Sequence, residues 1–287
     1  MTTLQILKTE FEERFHQKWT SLSVQYHFKA IASKLVSIPF NEVIFNLSTE
    51  VEESQLALFK TYIVRLEANE PLQHIIEETE FMGFPIICSP SALIPRPETE
   101  ELVELIVLKA KGFLGNLKIL DLCTGTGCIA IALQKLIKEA EVQAIDNFDN
   151  TIALARQNCD LNEVSINISK VDVLSIDEMN EFGDNRYDIW VSNPPYIPNS
   201  DKMKMETNVL DFEPHEALFV SDDDPLVFYK AISKAAQKSL KNEGWLFFEI
   251  HEDFGEEMIA LLKENNFKNI SIIADMQGKN RIAFGQK

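Results

Sequence analysis

The sequence LKILDLCTGTGCIAIAL at residues 117–133 joins a short apolar run, a glycine-containing turn and a second apolar run without interruption. The first run predicts a buried strand, and the run after Gly127 predicts a helix. Gly125 and Gly127 allow a tight turn and a close approach of the backbone to a ligand, and the helix begins with unpaired N–H groups. Asp146 ends the next predicted strand, VQAID, where one carboxylate accepts hydrogen bonds from both hydroxyls of a ribose. The arrangement predicts a nucleoside-binding unit; a glycine turn without a ligand is the alternative.

Strands and helices alternate from Glu98 onward. The further apolar runs that predict strands are INISKVDV, YDIWVSN, GWLFFEI, NISIIAD and RIAFGQ, and long helical patterns fall at residues 225–241 and 253–266. Such alternation predicts right-handed βαβ units, and hence an α/β fold with a mostly parallel sheet. The last two runs, joined by MQGKN, predict an antiparallel pair at one edge of that sheet.

The first part of the sequence has a different texture. Apolar residues recur at helical spacing in three stretches between residues 4 and 70, and no glycine precedes Gly83. Ser48 or Thr49 is the predicted cap of the third helix. EFMGFPIICSPSALIPRPE at residues 80–98 contains four prolines, which favour extended backbone. We therefore expect three parts: a helical bundle over residues 1–75, a β-hairpin and proline-rich linker over 76–97, and an α/β domain over 98–287.

The charge is strongly negative and unevenly distributed. The 287 residues carry 27 Lys and Arg against 45 Asp and Glu, a net charge of -18. Residues 1–75 hold 7 basic and 9 acidic side chains, so the remainder holds 20 and 36 and carries -16 of the total. A phosphate backbone is neutralised by clustered cations, so this composition argues against nucleic acid as a partner.

The cysteines and the N-terminus indicate the compartment. The sequence has no C-x-x-C pair and no Cys–His spacing that predicts a zinc site, so we expect free thiols and no metal at Cys88, Cys123, Cys128 and Cys159. The N-terminus lacks the basic and then apolar pattern of a signal peptide, and polar residues interrupt the longest apolar runs. We expect a soluble, cytoplasmic and monomeric protein that binds no membrane.

The glycine turn differs from a standard dinucleotide site. Its spacing is D-x-C-x-G-x-G rather than G-x-G-x-x-G. A ribose-binding carboxylate beside a turn with few phosphate-binding features favours S-adenosylmethionine, whose own carboxylate fits the same N–H groups. Asp172 follows a third predicted strand and suits the amino group of adenine.

A second turn, Asn193-Pro194-Pro195-Tyr196, follows the predicted strand YDIWVS directly. Two prolines lock this turn, so the carbonyl of Pro194 and the side-chain oxygen of Asn193 are both offered to one substrate NH₂ group. Tyr196 presents a flat face to a planar substrate. These catalytic and substrate-binding candidates predict a site that holds an amide or aromatic amine with its lone pair directed at a methyl sulfonium. A rigid turn without a ligand is the alternative, although ligands bind at the carboxyl ends of parallel strands.

With these motifs the sequence resembles the class I S-adenosylmethionine-dependent methyltransferases, and more closely the protein-(glutamine-N5) methyltransferases that act on peptide chain release factors. The segments that carry the resemblance over residues 71–287 are PLQH at 71–74, EFMGF at 80–84, LIPRPETEELVE at 93–104, DLCTGTG at 121–127, Asp146, SNPPYIP at 192–198, FEPHEAL at 212–218 and Glu249. NPPY alone is shared with adenine methyltransferases acting on DNA, whereas LIPRPETE favours the release-factor family.

The resemblance implies a Rossmann-like methyltransferase domain preceded by a substrate-docking helical bundle. It implies that the methyl acceptor is the glutamine of the Gly-Gly-Gln motif of class 1 release factors, held by Asn193 and Pro194 with Pro195 and Tyr196 beside it. The residues implied at the cofactor, together with Asn193, are Cys123, Thr124, Gly125, Thr126, Gly127, Asp146, Asp172 and Val173. Arg96 and Glu98 are implied at a hinge or a substrate loop, with a structural Arg–carboxylate pair as the alternative.

Some positions depart from the family pattern. The family usually has glycine at the positions of Cys123, Glu77, His251 and Pro225, but none of these changes removes a proposed catalytic group.

Two other functions stay open. One alternative function is an amino-methyltransferase acting on a nucleic-acid base, which would need a base-flipping pocket and a cationic track. The other is a non-catalytic helper that keeps the fold to bind a partner.

Overall fold

The computed structural model of the protein describes residues 1–113, 115–175 and 179–287. By internal contacts the chain divides into two units, each taken by itself below. The first, called the helical unit, comprises Met1–Glu77 and Thr207–Phe212. The second, called the α/β unit, comprises Glu78–Glu206 and Glu213–Lys287.

The helices and strands follow the order that the sequence patterns predict. The α-helices of the described residues are labelled α1 (Leu4–Phe15), α2 (Ser21–Val36), α3 (Glu53–Glu67), α4 (Leu72–Ile76), α5 (Pro97–Ala110), α6 (Cys128–Leu136), α7 (Asp149–Leu161), α8 (Thr207–Phe212), α9 (His215–Leu218), α10 (Val227–Ser239) and α11 (Gly255–Glu264). The strands are β1 (Thr2–Thr3), β2 (Glu50–Val51), β3 (Glu78–Phe81), β4 (Phe84–Ile87), β5 (Leu117–Leu122), β6 (Ala140–Asp146), β7 (Asn167–Lys170), β8 (Tyr187–Ser192), β9 (Ile197–Pro198), β10 (Phe219–Val220), β11 (Leu240–Glu249), β12 (Lys268–Ala274) and β13 (Asn280–Gln286).

The helical unit packs around an aromatic centre. The buried residues of α1 are Leu4, Leu7, Phe11 and Phe15, which repeat at the spacing of one helix face. The Phe11 ring lies 4.7 Å from that of Phe15 and 5.9 Å from that of Phe28 on α2, measured between ring centroids. The apolar stripe seen in the sequence of α1 is therefore the buried face of that helix.

The third helix begins later than the sequence predicts. Its cap is Glu52, whose backbone N–H donates to the side chain of Gln55 at 2.9 Å, so the assignment of the cap to Ser48 or Thr49 is wrong. The reason is that Val51 pairs with Thr2 in a two-stranded ladder, which keeps the chain extended up to the start of the helix. A two-residue strand leaves no periodic pattern in the sequence.

The α/β unit is built on a seven-stranded sheet of order β12-β13-β11-β8-β5-β6-β7. The pairs from β11 to β7 are parallel, as the strand–helix alternation predicts. β13 runs antiparallel to both β11 and β12, so the antiparallel strand lies second from the edge and β12 forms the edge. After β5 the chain adds β6 and β7 on one side and then returns to place β8 on the other. The carboxyl ends of β5 and β8 therefore meet where the strand order reverses, which is where open α/β sheets bind ligands.

Both faces of the sheet are covered. Successive residues of β5 alternate between two apolar clusters, with Ile119 in one and Leu120 in the other. β8 does the same with Ile189 and Trp190, since side chains along a strand point to opposite faces. This burial on two sides explains why these strands read as continuous apolar runs.

The predicted hairpin is formed by β3 and β4 and packs within the α/β unit. Asn158 of α7 accepts a hydrogen bond from the backbone N–H of Ile87 at 2.7 Å and donates to the carbonyl of the same residue at 3.1 Å. Phe81 and Ile86 are buried in the apolar cluster on that side of the sheet. Among the described residues, no helix combines the length and the hydropathy that crossing a bilayer requires.

Candidate functional site

The glycine turn between β5 and α6 is held open by left-handed backbone. Cys123, Gly125 and Gly127 have φ values of 60°, 57° and 82°. The N–H of Thr124 donates to the carbonyl of Ile145 at 3.0 Å, and the N–H of Gly125 donates to Asp146 Oδ2 at 3.0 Å. These two bonds fasten the turn to the end of β6, so the glycines and the carboxylate predicted from the sequence lie side by side.

Asp121 supports the turn from inside the core. It is fully buried, and its Oδ2 accepts a 2.5 Å hydrogen bond from the hydroxyl of Thr124. Burial raises the pKa of Asp121 to about 7, although the Thr124 bond acts in the opposite direction. Asp146, at the end of β6, also has its pKa raised by burial, against hydrogen bonds from the backbone of Gly125 and Phe148.

We expect the buried Asp121 to make the protein less stable as pH rises. Its pKa is about 7 when folded against 3.8 ordinarily, so the folded state holds a proton that the unfolded state has released. The stability that this group contributes is complete below about pH 4 and is lost as pH rises through about pH 7. In Asp121→Asn, the free energy of unfolding should therefore fall less as pH rises. The difference from wild type should be a few kcal/mol, at about 1.4 kcal/mol for each pKa unit. Urea unfolding at about pH 5 and about pH 8 measures it.

Asp149→Asn is the matched control for this prediction, because that carboxylate is exposed at the start of α7. It should keep the wild-type dependence of the free energy of unfolding on pH. If Asp121→Asn keeps it as well, the buried carboxyl is not the group responsible.

A cavity of about 490 Å³ opens beside the turn, within the α/β unit. It lies in the size range of small-molecule sites. The lining residues that the sequence singled out are Cys123, Thr124, Gly125, Thr126, Asp146, Asp172, Val173, Asn193 and Pro195. The candidates from the first turn, from the ends of two strands and from the Asn-Pro-Pro-Tyr turn thus surround one space.

Three further candidates, Gly127, Pro194 and Tyr196, are not among the residues that line the cavity. Gly127 caps α6 and approaches α7 closely, since a Cβ added there would lie 3.3 Å from the Cβ of Ala155. Pro194 is buried beside Asn193, and Tyr196 donates its hydroxyl proton to Glu249 Oε1 at 3.0 Å. Burial, together with the charge of Glu249, raises the pKa of the Tyr196 phenol, so this residue remains a hydrogen-bond donor.

Asn193 is tied to a buried pair of polar side chains. Its Nδ2 donates to Thr99 Oγ1 at 3.3 Å, and Thr99 Oγ1 donates to Glu249 Oε2 at 2.6 Å. Thr99 lies in the first turn of α5 and Glu249 at the end of β11, and both are almost wholly buried. Sequence reasoning assigned no role to Thr99, although the segment LIPRPETE contains it, because its partner Glu249 is 150 positions away.

The proline-rich segment before α5 forms a further wall of the cavity. The lining residues from it and from the segment at 214–217 are Ser91, Ala92, Leu93, Pro95, Arg96, Pro214, Glu216 and Ala217. Arg96 forms an ion pair with the buried carboxylate of Glu213, which also accepts from the N–H of Ile94 at 3.1 Å. Arg96 thus forms an Arg–carboxylate pair with Glu213, whereas the alternative from the sequence named Arg96 together with Glu98.

The cavity has the donors, acceptors and apolar surface that S-adenosylmethionine requires. A Cβ built on Gly125 would meet nothing within 4 Å, so the turn faces open space in which a ligand fits against the backbone. The Asp146 carboxylate suits ribose hydroxyls, and the half-exposed ring of Phe148 provides an apolar wall. Phe148 was not predicted; an aromatic residue two positions after the acidic end of a strand is the signal for it.

Fold and cavity together define an S-adenosylmethionine-dependent methyltransferase, and the comparisons agree. The "Methyltransferase small domain" family matches residues 99–211. The fold is similar to that of a T. thermophilus 16S rRNA N2 methyltransferase in complex with AdoMet and guanosine, with a TM-score of 0.51, 18% identity, and 73% of this chain and 49% of that chain covered.

Sequence relatives identify the family within that class. A release factor glutamine methyltransferase of Flavobacterium psychrophilum is 39% identical, with 96% of each chain covered. Another of that name, from Bacteroides thetaiotaomicron, is 43% identical over 77% of each chain. The chain belongs to the release factor glutamine methyltransferase family.

Two departures from the family pattern occupy backbone that glycine adopts easily. Cys123 and Glu77 both have a φ of 60°, in the left-handed region. His251 has an ordinary φ of -66°, so its backbone does not require glycine. Instead its Nε2 lies 3.3 Å from Asp201 Oδ2.

The described residues contain all four cysteines, and each of them is free.

Proposed function

We propose that the protein transfers a methyl group from S-adenosylmethionine to the side-chain amide nitrogen of the glutamine in the Gly-Gly-Gln motif of class 1 peptide chain release factors. The observation that carries this proposal is the 39% identity to a release factor glutamine methyltransferase over 96% of both chains. The site supports it through Asn193, which lines the cavity directly after the buried strand β8.

The reaction requires an amide nitrogen to act as a nucleophile. Its lone pair is delocalised, so orientation must supply much of the rate enhancement. Asn193 Oδ1 and the carbonyl of Pro194 accept the two N–H groups of the glutamine amide and hold its plane, and hydrogen bonding to those protons stabilises the nitrogen as it becomes positive. Tyr196 lies two positions after Pro194, and the hydrogen bond from its hydroxyl to Glu249 fixes its ring. S-adenosylmethionine, when bound, would supply the methyl group and leave as S-adenosylhomocysteine. The methylated nitrogen would lose one of its two N–H protons to solvent.

The cofactor contacts are part of the same proposal. The turn Cys123–Gly127 lies at the amino-acid end of the cofactor in this proposal, with the N–H groups of Thr124, Gly125 and Gly127 already bonded within the protein. Asp146 accepts the ribose hydroxyls, and Asp172 with Val173 lies at the adenine. Asp172 Oδ1 already accepts from the N–H of Leu174 at 2.9 Å, which orients its carboxylate.

Methylation of a nucleic-acid base is the alternative activity. The NPPY turn suits an aromatic amine as well as an amide, but a nucleic acid needs clustered cations. The net charge of -18 favours a protein substrate. We propose that the enzyme works as a cytoplasmic monomer without direct nucleic-acid contact.

The helical bundle has a role in docking the release factor under this proposal. The exposed apolar side chains of its helices and loops include Leu22, Tyr26, Phe45 and Val64. Such side chains are the usual anchors of a protein interface. Residues 76–97 then connect this docking module to the catalytic domain at 98–287.

One assay with matched substrates tests the function. The protein is incubated with labelled S-adenosylmethionine and a purified class 1 release factor, with ribosomal RNA and duplex DNA in parallel tubes. A release factor whose Gly-Gly-Gln glutamine is replaced by glutamate is the control. Label on the intact factor, located by peptide mass spectrometry as one methyl group on that glutamine, is the expected result. Label on nucleic acid alone would contradict the proposal.

A further inference from the structure

We infer that Thr99 and Glu249 are positioning residues that fix which end of the Asn193 amide faces the cavity. The inference rests on the proposed function for its meaning in catalysis, but the hydrogen bonds that carry it stand on their own. Thr99 Oγ1 lies 3.3 Å from Asn193 Nδ2 and 2.6 Å from Glu249 Oε2.

The direction of the hydrogen bonds among Asn193, Thr99 and Glu249 follows from the number of protons that each group carries. Thr99 Oγ1 donates to Glu249 Oε2 at 2.6 Å, and this bond uses the single hydroxyl proton of Thr99. Thr99 Oγ1 is then an acceptor toward Asn193 and selects the NH₂ end of its side chain. The Oδ1 end is left facing away from Thr99, as an acceptor for a substrate N–H.

Glu249 is itself held in place on several sides. Its Oε1 accepts from the Tyr196 hydroxyl at 3.0 Å, and its backbone carbonyl accepts from the Tyr229 hydroxyl at 2.9 Å. Arg281, whose guanidinium is held by Asp275 at 3.2 Å, adds a positive charge that favours the ionised form. Burial and the nearby Glu98 charge oppose it and raise the pKa of Glu249. Neighbours from several elements thus orient both carboxylate oxygens.

An inverted Asn193 amide would present its NH₂ to the substrate NH₂, where two donors face each other. Without the Thr99 acceptor, the productive orientation leaves Asn193 Nδ2 next to the core without a hydrogen-bond partner. The inverted orientation turns that nitrogen to the cavity. Loss of the Thr99 hydroxyl should therefore lower kcat for release-factor methylation by about ten- to a hundredfold. Cofactor affinity should be largely unchanged, since the hydroxyl points at Glu249 and Asn193.

Thr99→Val tests this, because it keeps the shape of the side chain and removes only the hydroxyl. Thr99→Ser should restore kcat to within about threefold of wild type. The control is Ser233→Ala on α10, which removes a buried hydroxyl that has no hydrogen-bond partner among the described residues. In an Asn193→Ala background, Thr99→Val should cause no further loss, because its effect acts through Asn193.

A readout without substrate separates this inference from the proposed function. The Nδ2 protons of Asn193, assigned by NMR through their loss in Asn193→Ala, should show one proton protected from exchange in wild type and in Thr99→Ser. That protection should vanish in Thr99→Val. Unchanged protection, wild-type kcat in Thr99→Val, or additive losses in the double variant would each overturn the positioning role. A wild-type enzyme that leaves release factors unmethylated, with protection behaving as expected, would overturn the proposed function and leave the hydrogen-bond chain standing.

Discussion

Asn193→Ala is expected to lower kcat for methylation of a release factor by about a hundred- to a thousandfold, the usual effect of removing one preorganised hydrogen-bonding group from a reacting centre. The side chain lines the cavity, and its NH₂ end is engaged by Thr99, so its oxygen is the group offered to the substrate. The affinity for S-adenosylmethionine should change by less than about threefold, because the proposed cofactor contacts come mainly from β5, β6 and the loops after them. Single-turnover label transfer and calorimetry measure the two quantities.

Asn199→Ala is the matched control for that variant. Asn199 lies six positions further along and donates to the carbonyl of Val220 at 2.9 Å. The variant removes one side-chain hydrogen bond without touching the reacting amide, so it should lower stability and leave kcat near wild type. A wild-type kcat in Asn193→Ala would show that the amide clamp is wrong.

Gly125→Val is expected to weaken S-adenosylmethionine binding at least about a hundredfold, which is about 2.7 kcal/mol. The glycine has a φ of 57° and faces open cavity, so an isopropyl group there occupies the space that the ligand needs. A β-branched residue in left-handed backbone adds strain of about 1–2 kcal/mol to the folded state. Calorimetric titration of the cofactor gives the affinity, and urea unfolding gives the strain.

Gly278→Val is the matched control for the backbone strain of Gly125→Val. Gly278 lies in the turn between β12 and β13. That glycine has a φ of 83° and also has nothing within 4 Å of an added Cβ, but it does not line the cavity. Gly278→Val should therefore lose similar stability and keep its cofactor affinity. Equal affinity losses in both variants would mean that the effect of Gly125→Val is a general consequence of destabilisation.

The sheet could be predicted from the sequence because its signals are local. β5, β8 and β11 are buried on both faces and read as apolar runs, while Gly125 and Gly127 mark the turn between strand and helix. What escaped prediction depends on pairing between distant segments. The two-residue pairing of Thr2 with Val51 moved the start of α3, and the insertion of β13 between β11 and β12 set the order at the sheet edge.

The residues of the site also fall into two groups, those that local patterns predict and those that depend on distant contacts. Asp146 and Asn193 could be located because one ends β6 and the other follows β8. The carboxyl ends of these parallel strands lie at the same edge of the sheet, and both residues line the cavity. Thr99 could not be located in this way, since a threonine in a helical first turn has the pattern of any capping residue. Its significance comes from Glu249, 150 positions away. Residue patterns thus predicted several residues that line the cavity, whereas the groups that orient those residues required the fold.

The placement of β13 has a consequence for biosynthesis. Thr99 is made early and Glu249 late, and the strand that ends at Glu249 is paired on one side by β13, which is made later still. Contacts of such long sequence separation form late and slowly in folding. A nascent chain still on the ribosome therefore has its glycine turn and its Asn-Pro-Pro-Tyr turn well before it has the carboxylate that orients Asn193. Full competence for methyl transfer should therefore appear late, when β13 closes the sheet.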